Sequence, residues 1–197
     1  WYENDGSANF TERAIDLNLS GVLGLAVNDI DGDGDLDIFA TAKTNDQVAL
    51  YTNNGSQSFT KSLISSDLDG PHSVGCNDLD DDGYMDVIVS VAIDNEVVWY
   101  KNDGAQNFTE NLIDGSMDSP LNFVVIDLDE DGDKDVIVTA RDDDDVIWLS
   151  NDGSENFTKN TIDNNLDAAR DVAVIDLDED GDLDIVATSA TSSGHEV

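Results

Sequence analysis

An all-β fold, a β-propeller of four-stranded antiparallel blades, is what the sequence predicts, and three observations predict it. The 197-residue chain repeats every 49 residues, which divides one propeller region, 1–197, into units 1–49, 50–98, 99–147 and 148–197. Each unit holds short runs rich in β-branched and aromatic residues, with no helical period in any of them. Each unit also carries one acidic loop, D-x-D-x-D-G-x-x-D, in the same frame. Self-similarity at roughly 20 to 50 residues marks a solenoid, propeller or array. Four short strands per unit select the propeller blade, because a parallel β-helix needs a much shorter period.

The repeat extends beyond the loops: Asn4/Asn53/Asn102/Asn151, Gly6/Gly55/Gly104/Gly153, Phe10/Phe59/Phe108/Phe157, Thr11/Thr60/Thr109/Thr158 and Ile15/Ile64/Ile113/Ile162 are identical in every unit. Strand one of a blade is the apolar run before the loop, such as Phe123-Val124-Val125-Ile126. The lone cysteine, Cys76, stands in that strand where the other units have Val27, Val125 and Val174, so it reads as a small buried hydrophobe. One cysteine excludes a disulfide within the chain.

The loop comes next. Carboxylates at positions 1, 3 and 5 are Asp29, Asp31 and Asp33, then Asp78, Asp80 and Asp82, then Asp127, Asp129 and Asp131, then Asp176, Asp178 and Asp180. Alternate positions of a tight loop converge on one point, and glycine at position 6 (Gly34, Gly83, Gly132, Gly181) permits the sharp turn that oxygen coordination of Ca²⁺ requires. Position 7 (Asp35, Tyr84, Asp133, Asp182) is expected to give only its backbone carbonyl, which explains why its side chain varies. Position 12 is Ala40, Val89, Val138 or Ala187 in place of the bidentate Glu of an EF-hand, and Asp at position 9 (Asp37, Asp86, Asp135, Asp184) is expected to take over that role. The expectation is about four Ca²⁺, one per unit, in structural rather than catalytic sites. Mg²⁺ is disfavoured because it tolerates an all-protein cage poorly.

Strand two follows at once, as in Asp135-Val136-Ile137-Val138-Thr139. Strand three is Val97-Val98-Trp99-Tyr100 and its cognates from Val48 to Tyr51 and from Val146 to Leu149. The turn Asn102-Asp103-Gly104 supplies the positive φ of a hairpin, and strand four runs from Phe108-Thr109 to Ile113. The repeated Phe and the Trp1/Leu50/Trp99/Trp148 series are expected to be core. Trp1-Tyr2 aligns with Trp99-Tyr100, and Glu196-Val197 is expected to begin strand three of the fourth unit. Three whole blades and one split blade result. The split can close within the molecule as a clasp, or between molecules head to tail, or the chain can be cut from a longer array, which is the favoured expectation. A chain opening on Trp1 rather than Met reads as processed or as a fragment.

The loop flanked by strands and followed by N-D-G-x-x-x-F-T resembles the FG-GAP or VCBS-type repeat, the blade of integrin α-subunit propellers and of many secreted bacterial proteins. The resemblance covers essentially the whole chain. It implies that the calcium loops join strands one and two on the lower face of a propeller. A glycan or protein ligand would then bind the opposite face, where the loops joining strands two to three and four to one gather. The units diverge most in those two places, at 21–24, 70–73, 119–122 and 169–171 and at 43–46, 141–145 and 192–195. The sequence departs from the family in having four repeats where most members have about seven blades.

Composition narrows the function. A formal charge of −37 repels phosphate backbones and anionic lipid, so nucleic-acid binding and membrane-surface binding are excluded. An apolar fraction of 39% gathered in regular runs argues against disorder, and four divalent ions would bring −37 to −29. No apolar run approaches the roughly 20 residues of a membrane span, and none of these residues is expected to be a signal peptide. Weak calcium sites suit a secreted or cell-surface location. Sequons at Asn9, Asn18, Asn54, Asn107 and Asn156 are candidate glycan sites, although N-F-T is also simply the start of strand four. His72, His195 and scattered Asp form no catalytic constellation, so no enzyme is expected. The expected function is an extracellular calcium-binding module for adhesion or for glycan or protein binding. The alternatives are a structural subunit of a surface fibre, self-associating through the split blade, and a propeller domain of a polysaccharide-degrading enzyme.

Overall fold

The computed structural model describes residues 1–190. They form sixteen strands and no helix: β1 (Tyr2–Asn4), β2 (Phe10–Glu12), β3 (Val22–Asn28), β4 (Asp37–Ala42), β5 (Gln47–Asn53), β6 (Phe59–Ser65), β7 (Pro71–Asn77), β8 (Asp86–Val91), β9 (Glu96–Asn102), β10 (Phe108–Asp114), β11 (Pro120–Ile126), β12 (Asp135–Ala140), β13 (Asp145–Asn151), β14 (Phe157–Asp163), β15 (Ala169–Ile175) and β16 (Asp184–Ser189). Three four-stranded sheets, β3 to β6, β7 to β10 and β11 to β14, are antiparallel meanders in chain order. The remaining strands form two separate pairs, β1 with β2 and β15 with β16. These pairs do not join each other, so the clasp within the molecule is not formed among the described residues. The start of a third strand at Glu196-Val197 lies outside them.

Strand composition follows from position in the blade. Strand two lies in the middle of the sheet with a neighbouring blade against each face, and all six residues of β8 and of β12 are buried. Burial on both faces requires apolar side chains at successive positions, hence the continuous Val/Ile runs. Outer strand four, as in β6 and β10, is largely exposed or half-buried, with one buried residue in each, and carries Thr, Lys, Asn and Glu.

The core lies between blades. Phe39 and Leu50 of the first whole blade pack on Val87, Val89, Val98 and Tyr100 of the second. Ile88 and Trp99, on the other face of the second, pack on Val136, Val138, Ile147 and Leu149 of the third. Alternate residues of one strand thus serve opposite neighbours, as the two-residue period of a strand dictates. Position 2 of the first three acidic loops, Ile30, Leu79 and Leu128, packs into the clusters between blades, leaving Leu79 only 3% exposed, whereas Leu177 of the last loop is 66% exposed. The repeated Phe are half-buried against these clusters at Phe59, Phe108 and Phe157, and Phe10 is exposed. Cys76 is half-buried rather than fully enclosed, and it packs against the first inter-blade cluster.

A second inter-blade feature recurs. Strand one carries an irregularity near its start: Leu23-Gly24 face Thr41, His72-Ser73 face Ser90 and Leu121-Asn122 face Thr139, two residues opposite one, while Arg170 is an extra residue between paired Ala169 and Asp171. The opposing hydroxyl bridges to the next blade. Thr41 Oγ1 donates to the His72 carbonyl (2.7 Å), Ser90 Oγ to that of Leu121, and Thr139 Oγ1 to that of Arg170 (3.1 Å).

Candidate functional site

Each acidic loop is held by its own carboxylates before any cation is considered. Position 1 accepts from the position 6 glycine N–H in all four copies, at 2.9 Å (Gly34 to Asp29), 2.9 Å (Gly83 to Asp78), 3.1 Å (Gly132 to Asp127) and 3.0 Å (Gly181 to Asp176). Position 5 accepts from the position 7 N–H, as in Asp35 to Asp33 at 2.8 Å. Two positions take positive φ: the position 6 glycines, between 92° and 104°, and position 4, which is Gly32, Asp81, Glu130 or Glu179.

Position 9 is more than a ligand candidate. Asp37, Asp86 and Asp135 are 0% exposed. One oxygen of each accepts the position 2 N–H (3.2, 3.1 and 3.1 Å) and the other the N–H of the repeated asparagine on strand three, Asn53, Asn102 or Asn151 (2.7, 2.9 and 2.9 Å). Burial pushes the Asp86 carboxyl up to about 6 against these hydrogen bonds, and burial likewise raises Asp37 and Asp135.

The loops bring their carboxylates together. Ligand atoms lie within 4.8 Å of one another in Asp29/Asp31/Asp33, Asp78/Asp80/Asp86, Asp127/Asp129/Asp135 and Asp176/Asp178/Asp184. Positions 1 and 3 therefore meet in every loop. Position 5 is the third member only in the first loop, and Asp82, Asp131 and Asp180 lie outside the clusters that position 9 completes. The position 7 side chains of Asp35, Tyr84 and Asp133 turn away onto the hairpin glycines Gly55, Gly104 and Gly153, where an added Cβ would collide with them. Asp80 Oδ1 and Asp127 Oδ1 are buried without a hydrogen-bond partner. Unpartnered buried carboxylate oxygens beside like charges are what a hard divalent cation relieves, so the donor set fits a metal. Such an ion would cross-link the loop to strand two.

Three contributors were missed by reading the sequence. Lys101 bonds Asp80 directly and reaches Glu155 at 2.7 Å, so the second loop carries an internal cation. Its cognates are Glu3, Thr52 and Ser150, and that lone lysine was the available signal. Gln106 of the second blade donates to Asp31 of the first at 3.1 Å. The repeated asparagine ties blades together: Asn102 Nδ2 donates to the carbonyls of Met85 (3.0 Å) and Ile30 (3.5 Å), and Asn151 Nδ2 to those of Lys134 (3.1 Å) and Leu79 (3.4 Å).

The other candidates are placed as follows. Asn9, Asn18, Asn54, Asn107 and Asn156 are all exposed. In the N-F-T copies the amide nitrogen is already engaged, donating from Asn9 to Asp5 (2.8 Å), Asn107 to Asp103 (2.8 Å) and Asn156 to Asp152 (3.0 Å). That turn-closing role accounts for the repeated asparagine. Burial pushes the Cys76 thiol up to about 12, which makes it inert. His72 lies on strand one at the end remote from the acidic loops, and His195 lies outside the described residues.

The fold and the site define a β-propeller array of blades with an acidic, metal-fitting loop between the first and second strands of each. The FG-GAP-like repeat family matches residues 29–89, 78–138 and 127–187, and the chain belongs to that family. Among solved structures the chain is similar to a lectin of Agrocybe aegerita that specifically recognises non-reducing terminal N-acetylglucosamine, with 22% identity and a TM-score of 0.61, covering 85% of this chain and 47% of the lectin. It is also similar to virginiamycin B lyase from Staphylococcus aureus, with 12% identity and a TM-score of 0.58, covering 88% of this chain and 57% of the lyase. At these identities the likeness is one of fold, and the chain spans about half the length of either structure. No functionally curated protein matches the chain in sequence.

Proposed function

We propose that the chain is a calcium-binding, non-catalytic section of an extracellular β-propeller that serves as a binding or adhesion module for glycans or proteins. The observation that carries the reading is an asymmetry between the two ends of the blades. One end bears four copies of one acidic loop, in each of which the carboxylates of positions 1 and 3 meet, and the other bears the loops in which the units diverge. Repetition without variation suits a structural ion, whereas variation on a common scaffold suits recognition. Calcium is the ion assigned because its oxygen ligation is flexible in number and geometry, and sites of this kind in extracellular modules work at roughly 0.1–1 mM calcium. Glycans are the leading ligand class because a similar propeller is a lectin.

Titration calorimetry with Ca²⁺ should saturate near four ions per chain, and a chain that takes up none refutes the metal assignment. A glycan array probed in calcium should give selective binding. Release of reducing ends from polysaccharides would instead mean an enzyme.

A second reading has its own observation. In whole blades strand two pairs with strand three, as β8 does with β9, but among the described residues β16 and β1 lack that partner. A strand from another molecule in either place would make the protein a building block of a fibre, and a strand from flanking residues of a longer array would not. Concentration-dependent growth in sedimentation velocity, abolished by proline in β1, would favour it.

A further inference from the structure

The basic residues of this acidic chain are not scattered. Of its eight lysines and arginines, Lys43, Arg141 and Arg170 line one cavity together with His72. It lies at the end of the blades opposite the acidic loops, and its volume is about 210 Å³.

The cavity is built on two repeat positions. Leu23, His72, Leu121 and Arg170 are cognates, one from the inner strand of each of four successive blades. Lys43, Ala92 and Arg141 are cognates at the turn after strand two. The backbone therefore offers the same points around one mouth, and the sequence has placed cations and an imidazole at some and apolar groups at others. Each inner-strand position sits on the irregularity described above, the kind of feature that re-aims a side chain. Three of the four carbonyls are held by the hydroxyl of the preceding blade, at His72, Leu121 and Arg170. The mouth is thus preorganised before any ligand arrives.

The charges there are largely uncommitted. Among the described residues neither Lys43 nor Arg170 makes an ion pair, whereas Arg141 shares its guanidinium with Asp142 at 2.7 and 2.8 Å. Nδ1 of His72 is buried without a hydrogen-bond partner. Burial first, and then the charges of Lys43, Arg170 and Arg141, lower the His72 imidazole from the ordinary histidine range against a raising hydrogen bond to the Leu121 backbone, which favours the neutral ring that can donate one hydrogen bond and accept another. Acidic neighbours of the cluster are Asp142 and Asp118 at Arg141, Asp171 next to Arg170 in the chain and Asp94 next to Ile93, but none of them lines the cavity. Drug-sized ligands occupy roughly 300–1,000 Å³, so this smaller cavity admits one sugar ring or one charged group.

Resting on the binding-module reading and deepening it, we propose that this cavity is an anion-selective subsite for a carboxylate-bearing sugar unit. Lys43 and Arg170 would take the carboxylate, His72 would hydrogen-bond a ring hydroxyl, and Leu23, Ile93 and Leu121 would cover the apolar face of the ring. The calcium loops, at the other end of the blades, would contribute no contact.

The test uses the calcium-loaded chain and three probes: a uronate-containing disaccharide, its neutral counterpart of the same linkage, and inorganic sulfate. The uronate should bind and the neutral sugar should bind at least about tenfold more weakly, since charge-assisted hydrogen bonds are the stronger kind. Lys43→Gln with Arg170→Gln should weaken the uronate about tenfold while leaving the melting temperature and calcium uptake unchanged, and NMR shifts should localise to His72. Equal uronate binding by the double variant would mean capture at the calcium loops and would overturn the proposal. So would binding of sulfate alone. Neutral sugars bound as well as the uronate would overturn it while leaving the module reading intact. A glycan array with no binder of any charge would remove that reading too.

Discussion

At the scale of single residues, one charged side chain and one neutral one behave unlike some of their cognates. Lys101 pairs with Asp80 of the second loop, whereas among the described residues no lysine or arginine, Lys134 within the third loop included, pairs with a carboxylate of the other three, so Lys101 competes with any metal for Asp80. Its ammonium is partly exposed, and partly exposed pairs contribute about 0.2–1 kcal/mol. Lys101→Met should therefore tighten one of the calcium sites by up to about fivefold, since RT ln 5 is about 1 kcal/mol. Calorimetry resolving the sites checks this, and Lys159→Met, whose ammonium bonds the Ser116 carbonyl at 3.2 Å, should change none of them. Asn102 acts without charge. It is 0% exposed, and Asn102→Ala would strip the Met85 and Ile30 carbonyls and the Gly104 N–H of their partner. Leaving buried polar groups unpaired costs about 1–3 kcal/mol each, so for three groups a loss of at least about 3 kcal/mol in chemical denaturation is expected. The exposed cognate Asn4 bonds only the Gly6 N–H at 3.0 Å, and Asn4→Ala should stay within about 0.5 kcal/mol.

At the scale of the element, the acidic loop is a backbone device as much as a set of ligands. Gly132 has φ of 104° with nothing within 4 Å of a would-be Cβ, so any penalty for Gly132→Ala is conformational rather than steric. About 1–2 kcal/mol is expected, with calcium affinity at the third site falling in parallel. Glu130, at φ 60°, is already strained, and Glu130→Gly trades that strain against the greater flexibility of glycine in the unfolded chain, a near-neutral exchange within about 0.5 kcal/mol. Melting curves with and without calcium measure both. The strands, loops and hairpin turns were legible in the sequence because fourfold repetition separates what the blade needs from what drifts. Position 4 was not, since Gly32 has become Asp81, Glu130 and Glu179 and the shared positive φ leaves no shared residue type. The division of labour at position 9 was also hidden. A buried aspartate that anchors two N–H groups and one that ligates a metal carry the same letter. The meeting of Lys43, His72 and Arg170 was invisible for a different reason: each belongs to a different blade, and only the curvature of the array brings them together.

At the scale of the whole molecule, charge and metal set stability against each other. A chain of −37 repels itself, and four ions at about 100-fold above their dissociation constants would each add roughly 2.7 kcal/mol to a domain whose total is only about 5–15 kcal/mol. Chelation should therefore lower the melting temperature sharply, and an unmoved curve would refute a structural role for the ion. The pH dependence gives a stricter test because its sign should invert. Asp86 holds its proton up to about 6 in the fold, against 3.8 ordinarily, and Asp37 and Asp135 are shifted the same way by burial. Between those limits the calcium-free fold binds more protons than the unfolded chain, so its stability is greatest at the acid end and is lost as pH rises through about 6. Falling net charge acts in the same direction, and Asp16, held near 2, adds its opposing effect only below that window. With calcium saturating at pH 7 the same carboxylates must be unprotonated to bind the ion, so acid displaces it and stability falls as pH drops. Melting temperatures measured from pH 7 to pH 5 should accordingly rise in chelator and fall in calcium, and two curves that move together would show that the buried aspartates are not where proton and metal compete.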